Sequence, residues 1–197
     1  MSIKEAIQLA EAGKSGLSKE VIGSLKGMSS PHIWHLLNNL VQGPYLEVGV
    51  WKGSTLTAAL TGKDIPAWAI DNFSQFGDVQ EEFYRNTRHL SYTFIQGDCF
   101  SACKAAIDQP IEFYLYDGAH TEDDHFKALV HFYPDMAEEF IYMVDDWNVL
   151  DVQSGTYRAI EAMRLNVVEQ HERLTPKNGC KDSWWNGFAV FRLKRTV

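Results

Sequence analysis

Apolar positions along this chain follow two rhythms that take turns. Short continuous apolar runs at Tyr45–Val48, Ala67–Ile70, Thr93–Gln96, Ile111–Tyr116 and Phe140–Val144 predict buried strands. Between them, Thr55–Leu60, Val79–His89, Phe100–Ile107 and Glu122–Met136 carry helical spacing. Strands that alternate with helices predict a parallel sheet covered on both faces, with right-handed crossovers. After Val144 the rhythm changes. Gly155–Asn166 predicts one more helix, and Val167–Arg173 and Gly187–Leu193 alternate like two antiparallel strands. The first forty residues are helical in style. Ile3–Ala12 has an apolar stripe, and Ser30-Pro31 is a cap and first-turn signal ahead of Ile33–Val41. The expectation is an α/β, Rossmann-like, seven-stranded and mostly parallel sheet with an antiparallel C-terminal hairpin. It forms a single domain over 1–197, with an N-terminal helical extension at 1–42 and a core at 43–197.

Composition narrows the classes. The chain has 197 residues and a net charge of −8, with no basic patch, which argues against a nucleic-acid partner. No apolar run reaches membrane-spanning length, and Met1–Glu5 lacks the features of a secretory signal. Cys99, Cys103 and Cys180 match neither a zinc motif nor a disulfide framework, so free thiols and a cytoplasmic location are expected.

Chemistry concentrates where strands end. Tyr45–Ser54 reads as strand, glycine turn and helix start, with Glu47 at the strand end and Gly49 and Gly53 in the turn. The next strand ends in Asp71-Asn72, about twenty residues beyond the turn, where an acid holds a ribose diol. The third ends in Gly97-Asp98-Cys99-Phe100, an acid for an exocyclic amine beside a ring for a base face. Candidate cofactor residues are therefore Glu47, Gly49, Trp51, Gly53, Ser54, Asp71, Asn72, Asp98, Cys99 and Phe100. A dinucleotide turn wants glycine where Trp51 stands, and Glu47 repels a diphosphate. S-adenosylmethionine, with its amino-acid end, sulfonium, ribose and adenine, suits these acids better than a nicotinamide dinucleotide.

Glu47-Val48-Gly49-Val50-Trp51-Lys52-Gly53, Asp117-Gly118-Ala119-His120 and Val144-Asp145-Asp146-Trp147 together resemble motifs of the class I S-adenosylmethionine-dependent methyltransferases. More narrowly, they are similar to the macrocin-type O-methyltransferases. The resemblance spans roughly residues 44–148. It implies transfer of a methyl group to a hydroxyl of a small molecule, with Asp117, Asp145 and Asp146 binding Mg²⁺.

The residues themselves agree with part of this. Asp117, Asp145 and Asp146 should converge at one sheet edge, and crowded carboxylates call for a cation or a proton. His120 is the candidate general base, with Asp117 beside it, although His120 also suits a helix cap or a cofactor contact. Asn148 is a further candidate oxygen ligand. Trp51, Trp147, Trp184 and Trp185 are candidates for an acceptor pocket, and Asn72–Gly77 for a loop over the cofactor. The N-terminal helices suit either a lid or a subunit-pairing surface in a homo-oligomer. A binding or regulatory protein of the same fold, without turnover, is the alternative function.

Overall fold

The computed structural model describes residues 1–102 and 104–196. Three helices come first: α1 (Ile3–Glu11), α2 (Lys19–Ser24) and α3 (Pro31–Leu40). The core then runs β1 (Tyr45–Val48), α4 (Ser54–Leu60), β2 (Ala67–Asp71), α5 (Gln80–Thr87), β3 (Thr93–Gln96), β4 (Ile111–Tyr116), α6 (Glu122–Phe132) and β5 (Met136–Asp145). It closes with α7 (Leu150–Ala162), β6 (Asn166–Arg173) and β7 (Phe188–Lys194). The seven strands form one sheet in the order β3-β2-β1-β4-β5-β7-β6. β1 to β5 are parallel, while β7 lies antiparallel between β5 and β6.

β1 and β4 occupy the middle of the sheet and are buried on both faces, which their near-continuous apolar sequences require. One face packs on α1, α3 and α4 through Ile7, Leu36, Leu37 and Leu56. The other packs on α6 and α7 through Leu129, Phe132, Val152 and Ala159. The N-terminal helices thus share the core of the sheet. Their caps follow the sequence: Ser2, Ser18 and Ser30 each accept a backbone N–H from the first turn.

Several boundaries differ from the sequence expectation. Over 100–107 only a single 3₁₀ turn, Lys104–Ala106, forms among the described residues. The Asp98 carboxylate takes the N–H groups of Phe100 and Ser101, and this side-chain turn competes with a helix. Cys103 lies outside the described residues. Helix α7 starts at Leu150, well before Gly155. That glycine sits mid-helix because a Cβ there would lie 2.1 Å from the Glu122 carbonyl oxygen, so it lets α7 cross α6 closely. The six-residue α2 has no fully buried residue and too little pattern to be read from sequence. Among the described residues no helix is long and apolar enough to cross a membrane.

Candidate active site

The carboxyl ends of β1 to β5 open into one cavity of about 340 Å³. This is where an open α/β sheet places ligands, since loops after successive strands diverge there. The wall comprises Gly49 and Trp51 after β1, Asp71 to Gly77 after β2, and Gly97 to Phe100 after β3. Asp117 to His120 follow β4, and Asp145 and Asp146 follow β5. Among the described residues, four of the five non-glycine positions with positive φ line this cavity: Trp51, Phe73, Asp146 and Trp185. Strained backbone is thus concentrated around it.

Asp71 organises the first half. Its two oxygens accept the N–H of Trp51 at 2.8 Å and of Phe73 at 2.7 Å, tying the β1 and β2 loops together. Each oxygen retains capacity for another donor. Asp98 is exposed at the rim, and Cys99, Phe100 and Asn72 flank the cavity. Burial pushes the Cys99 thiol up to about 12, so it is an inert wall group.

Glu47, Gly53 and Ser54 are not brought to the cavity wall. Glu47 is fully buried, accepting from Tyr45 Oη at 2.7 Å and Thr55 Oγ1 at 2.5 Å. Burial pushes its carboxyl up to about 7, against the lowering effect of those two hydroxyls. It braces the turn from behind. Gly53 starts α4 in the left-handed region, and Ser54 is buried under Gly27 of the N-terminal segment.

The second half is a compact cluster. Nε2 of His120 lies 2.8 Å from Asp146 Oδ2 and 4.0 Å from Asp117 Oδ1. Candidate ligand atoms of Asp117, His120 and Asp146 all fall within 4.8 Å of one another. Asn186 Nδ2 donates to Asp146 Oδ1 at 2.5 Å and fixes that carboxylate. Asp145 stands apart from the trio, with its Oδ1 buried and without a partner at the cavity wall. Burial and then the charges of Asp145 and Asp146 push Asp117 well above the usual carboxylate range. Burial and Asp146 push Asp145 up to about 8. Burial is the largest single influence on Asp146 and raises it, but the hydrogen bond and charge of His120 together with the Asn186 bond hold that carboxyl low. The His120–Asp146 bond raises His120.

Other candidates lie elsewhere. Trp147 is fully buried with Nε1 donating to Glu172 at 2.9 Å, and Trp184 packs on Phe188 and His32, so neither lines the cavity. Trp51 and Trp185 do. Asn148 is committed to Thr175 and Asn178. Two wall residues, Met28 and Asn186, had no motif to mark them. Asn186 had one indirect signal, its place between a tryptophan pair and Gly187.

His125 lies beneath the site, 1% exposed, edge-on to Tyr116 with ring centroids 4.9 Å apart. Neither ring nitrogen has a partner, and burial holds its pKa at about 3. The unfolded chain takes a proton at this residue below about pH 6.5, while the folded chain resists until about pH 3. This contribution to stability is present above the unfolded value and is lost as the pH falls. His125→Leu is therefore expected to flatten the loss by on the order of 2–3 kcal/mol between pH 7 and pH 4. Urea unfolding of both proteins across that range measures it, and parallel pH profiles would refute it.

This Rossmann-like sheet order, with its antiparallel β7 insertion, is a fold shared with solved methyltransferase structures. Particular solved structures share it at low sequence identity. An O-methyltransferase from Bacillus cereus in complex with SAH is 12% identical with a TM-score of 0.62, over 98% of this chain and 90% of that one. SAH-bound methyltransferase PaMTH1 from Podospora anserina is 10% identical with a TM-score of 0.60, over 97% and 94%. The O-methyltransferase NovP is 17% identical with a TM-score of 0.55, over 99% and 79%. No family model and no curated protein sequence matches the chain.

Proposed function

We propose that this protein is a cytoplasmic S-adenosylmethionine-dependent O-methyltransferase acting on a hydroxyl of a small molecule. The observation that carries the reading is one cavity that joins two kinds of carboxylate. Asp71 and Asp98 stand at the ends of β2 and β3, and the Asp117–His120–Asp146 cluster stands opposite. The solved neighbours that bind SAH or are described as O-methyltransferases support it.

S-adenosylmethionine would supply an electrophilic methyl group. Asp71 accepts a ribose hydroxyl, Asp98 an exocyclic amine, and Cys99 and Phe100 flank the base. Gly49 and Trp51 hold the turn against the cofactor. His120 takes the acceptor's proton, and Asp146 keeps the imidazole oriented and stabilises its charged form. Asn186 holds Asp146 in turn.

The cluster also fits a hard divalent cation such as Mg²⁺. Its carboxylates offer hard oxygen ligands and repel one another, and Asp145 Oδ1 is orphaned in burial. Asp117, Asp145 and Asp146 would hold it, and it would lower the pKa of the acceptor hydroxyl.

Calorimetric titration with SAH tests the reading. Saturable binding is expected, and Asp71→Ala should weaken it about 10–100-fold, the value of one or two hydrogen bonds to a charged acceptor. Absence of binding to the native protein would overturn the assignment.

A further inference from the structure

The two halves of the cavity differ in what they can recognise. Six carboxylates line it: Asp71, Asp98, Asp117, Asp124, Asp145 and Asp146. Among the described lining residues none is Lys or Arg. The nearest cation in sequence, Lys52, sits 4.7 Å over the Trp51 ring and pairs with Glu82 at 2.8 Å, so it is engaged outside the wall. His120 is the only base in the wall, and Asp146 already occupies it. Among the described lining side chains only His120 can carry a positive charge. The rest of the wall mixes neutral polar groups, among them Asn72, Ser74 and Gln75, with the flat faces of Trp51, Phe76 and Trp185. The unpartnered Oδ1 of Asp145, a residue 5% exposed, adds a buried acceptor that calls for a donor or a cation.

We infer that the methyl acceptor is a hydroxylated ring compound that is neutral or bears an amine, and that this cavity rejects carboxylated and phosphorylated acceptors. This rests on the methyltransferase reading above. An anionic group entering the cavity loses its hydration and meets carboxylates with no Lys or Arg among the described lining to pair with it, whereas an ammonium group finds carboxylates with spare acceptor capacity. The aromatic faces suit a planar or pyranose ring and add attraction for a cation. Nucleic acid is excluded on the same ground, because its phosphates require basic side chains. In the reaction the acceptor oxygen forms a bond to the methyl carbon as the carbon–sulfur bond breaks. The hydroxyl proton passes to His120, and S-adenosylhomocysteine leaves neutral at sulfur.

The test uses the full chain with S-adenosylmethionine and Mg²⁺ and two matched acceptor sets. One set is 4-methylcatechol, dopamine and 3,4-dihydroxybenzoate. The other is methyl glucoside, glucosamine and glucose 6-phosphate. Methyl transfer from labelled cofactor is expected to the neutral and amine-bearing members of at least one set, with the anionic member at least about tenfold slower in kcat/KM. Gln75→Lys, which places a cation at the exposed rim, should narrow that gap. An anionic member equal to or faster than its neutral counterpart overturns the inference, as does methylation of an RNA transcript in preference to both sets. Turnover of none of the six, with SAH binding intact, overturns the acceptor class and leaves the cofactor reading standing. Loss of SAH binding in the native protein would instead remove the methyltransferase reading.

Discussion

Asp146→Asn is expected to lower kcat by about 10²–10³-fold while leaving SAH affinity within about threefold of the native value. Asp146 has a φ of +56°, a left-handed backbone that Asn tolerates better than most residues. The substitution therefore keeps the loop and removes only the charge. Three effects follow from that loss. His120 gives up the partner at 2.8 Å that raises its pKa and orients its ring. Asn186 donates to an amide in place of a carboxylate. The cluster loses one of the carboxylates that would hold a cation. None of these touches Asp71 or Asp98, so cofactor binding should persist. Steady-state kinetics beside calorimetry separate the two. A variant with native kcat removes Asp146 from the chemistry, and an equal loss of binding and turnover points to a collapsed loop.

The ring of strand-end carboxylates was legible in the sequence for a physical reason. Strands buried on both faces are apolar runs, so a polar residue just past each run marks the place where the strand leaves the core. Asp71, Asp98, Asp117, Asp145 and Asp146 were visible in this way, and the structure gathers them around one cavity. Glu47 breaks that rule, lying inside the first run one residue before its end, and it ends elsewhere. Its partners, Tyr45 two residues back on β1 and Thr55 on the following helix, are arranged only once α4 folds over the sheet. Trp147 illustrates the converse. Beside the Asp145-Asp146 pair it looked like a pocket wall, but its ring enters the core against Tyr157 and Phe191.

What the sequence withheld is contact across long separations. Asn186 reaches Asp146 from forty residues away because β7 inserts beside β5 and carries the preceding loop to the sheet edge. Met28 arrives from the N-terminal helices, where no motif lies. Gly155 read as a helix start because glycine weakens helices, whereas its role is to admit the Glu122 carbonyl. In each case the deciding partner belongs to an element whose position only the assembled sheet defines.

Gly49→Ala should be the most damaging single-methyl change in the chain, destabilising it by about 2–5 kcal/mol. Two costs combine. The residue has a φ of +88°, a conformation L side chains rarely adopt. An added Cβ would also lie 1.8 Å from the Asp117 carbonyl oxygen, which is backbone of the neighbouring strand end and has little room to yield. Local hydrogen bonds hold both sides in place: Gly49 N–H donates to Ile70 O at 2.9 Å, and Asp117 N–H donates to Val48 O at 2.9 Å. Relief of the clash therefore parts the ends of β1 and β4 and moves Asp117 away from His120 and Asp146. Gly62→Ala provides the control. Its φ is +78° with nothing within 4 Å of the added carbon, so it should cost only the conformational part, about 1–2 kcal/mol. Urea unfolding measures both, and SAH calorimetry on Gly49→Ala below its unfolding midpoint should show a loss that Gly62→Ala lacks. Equal stability of the two variants would mean that the β1 turn yields more easily than its packing implies, and that Gly49 does not set the spacing between the cofactor turn and the Asp117 cluster.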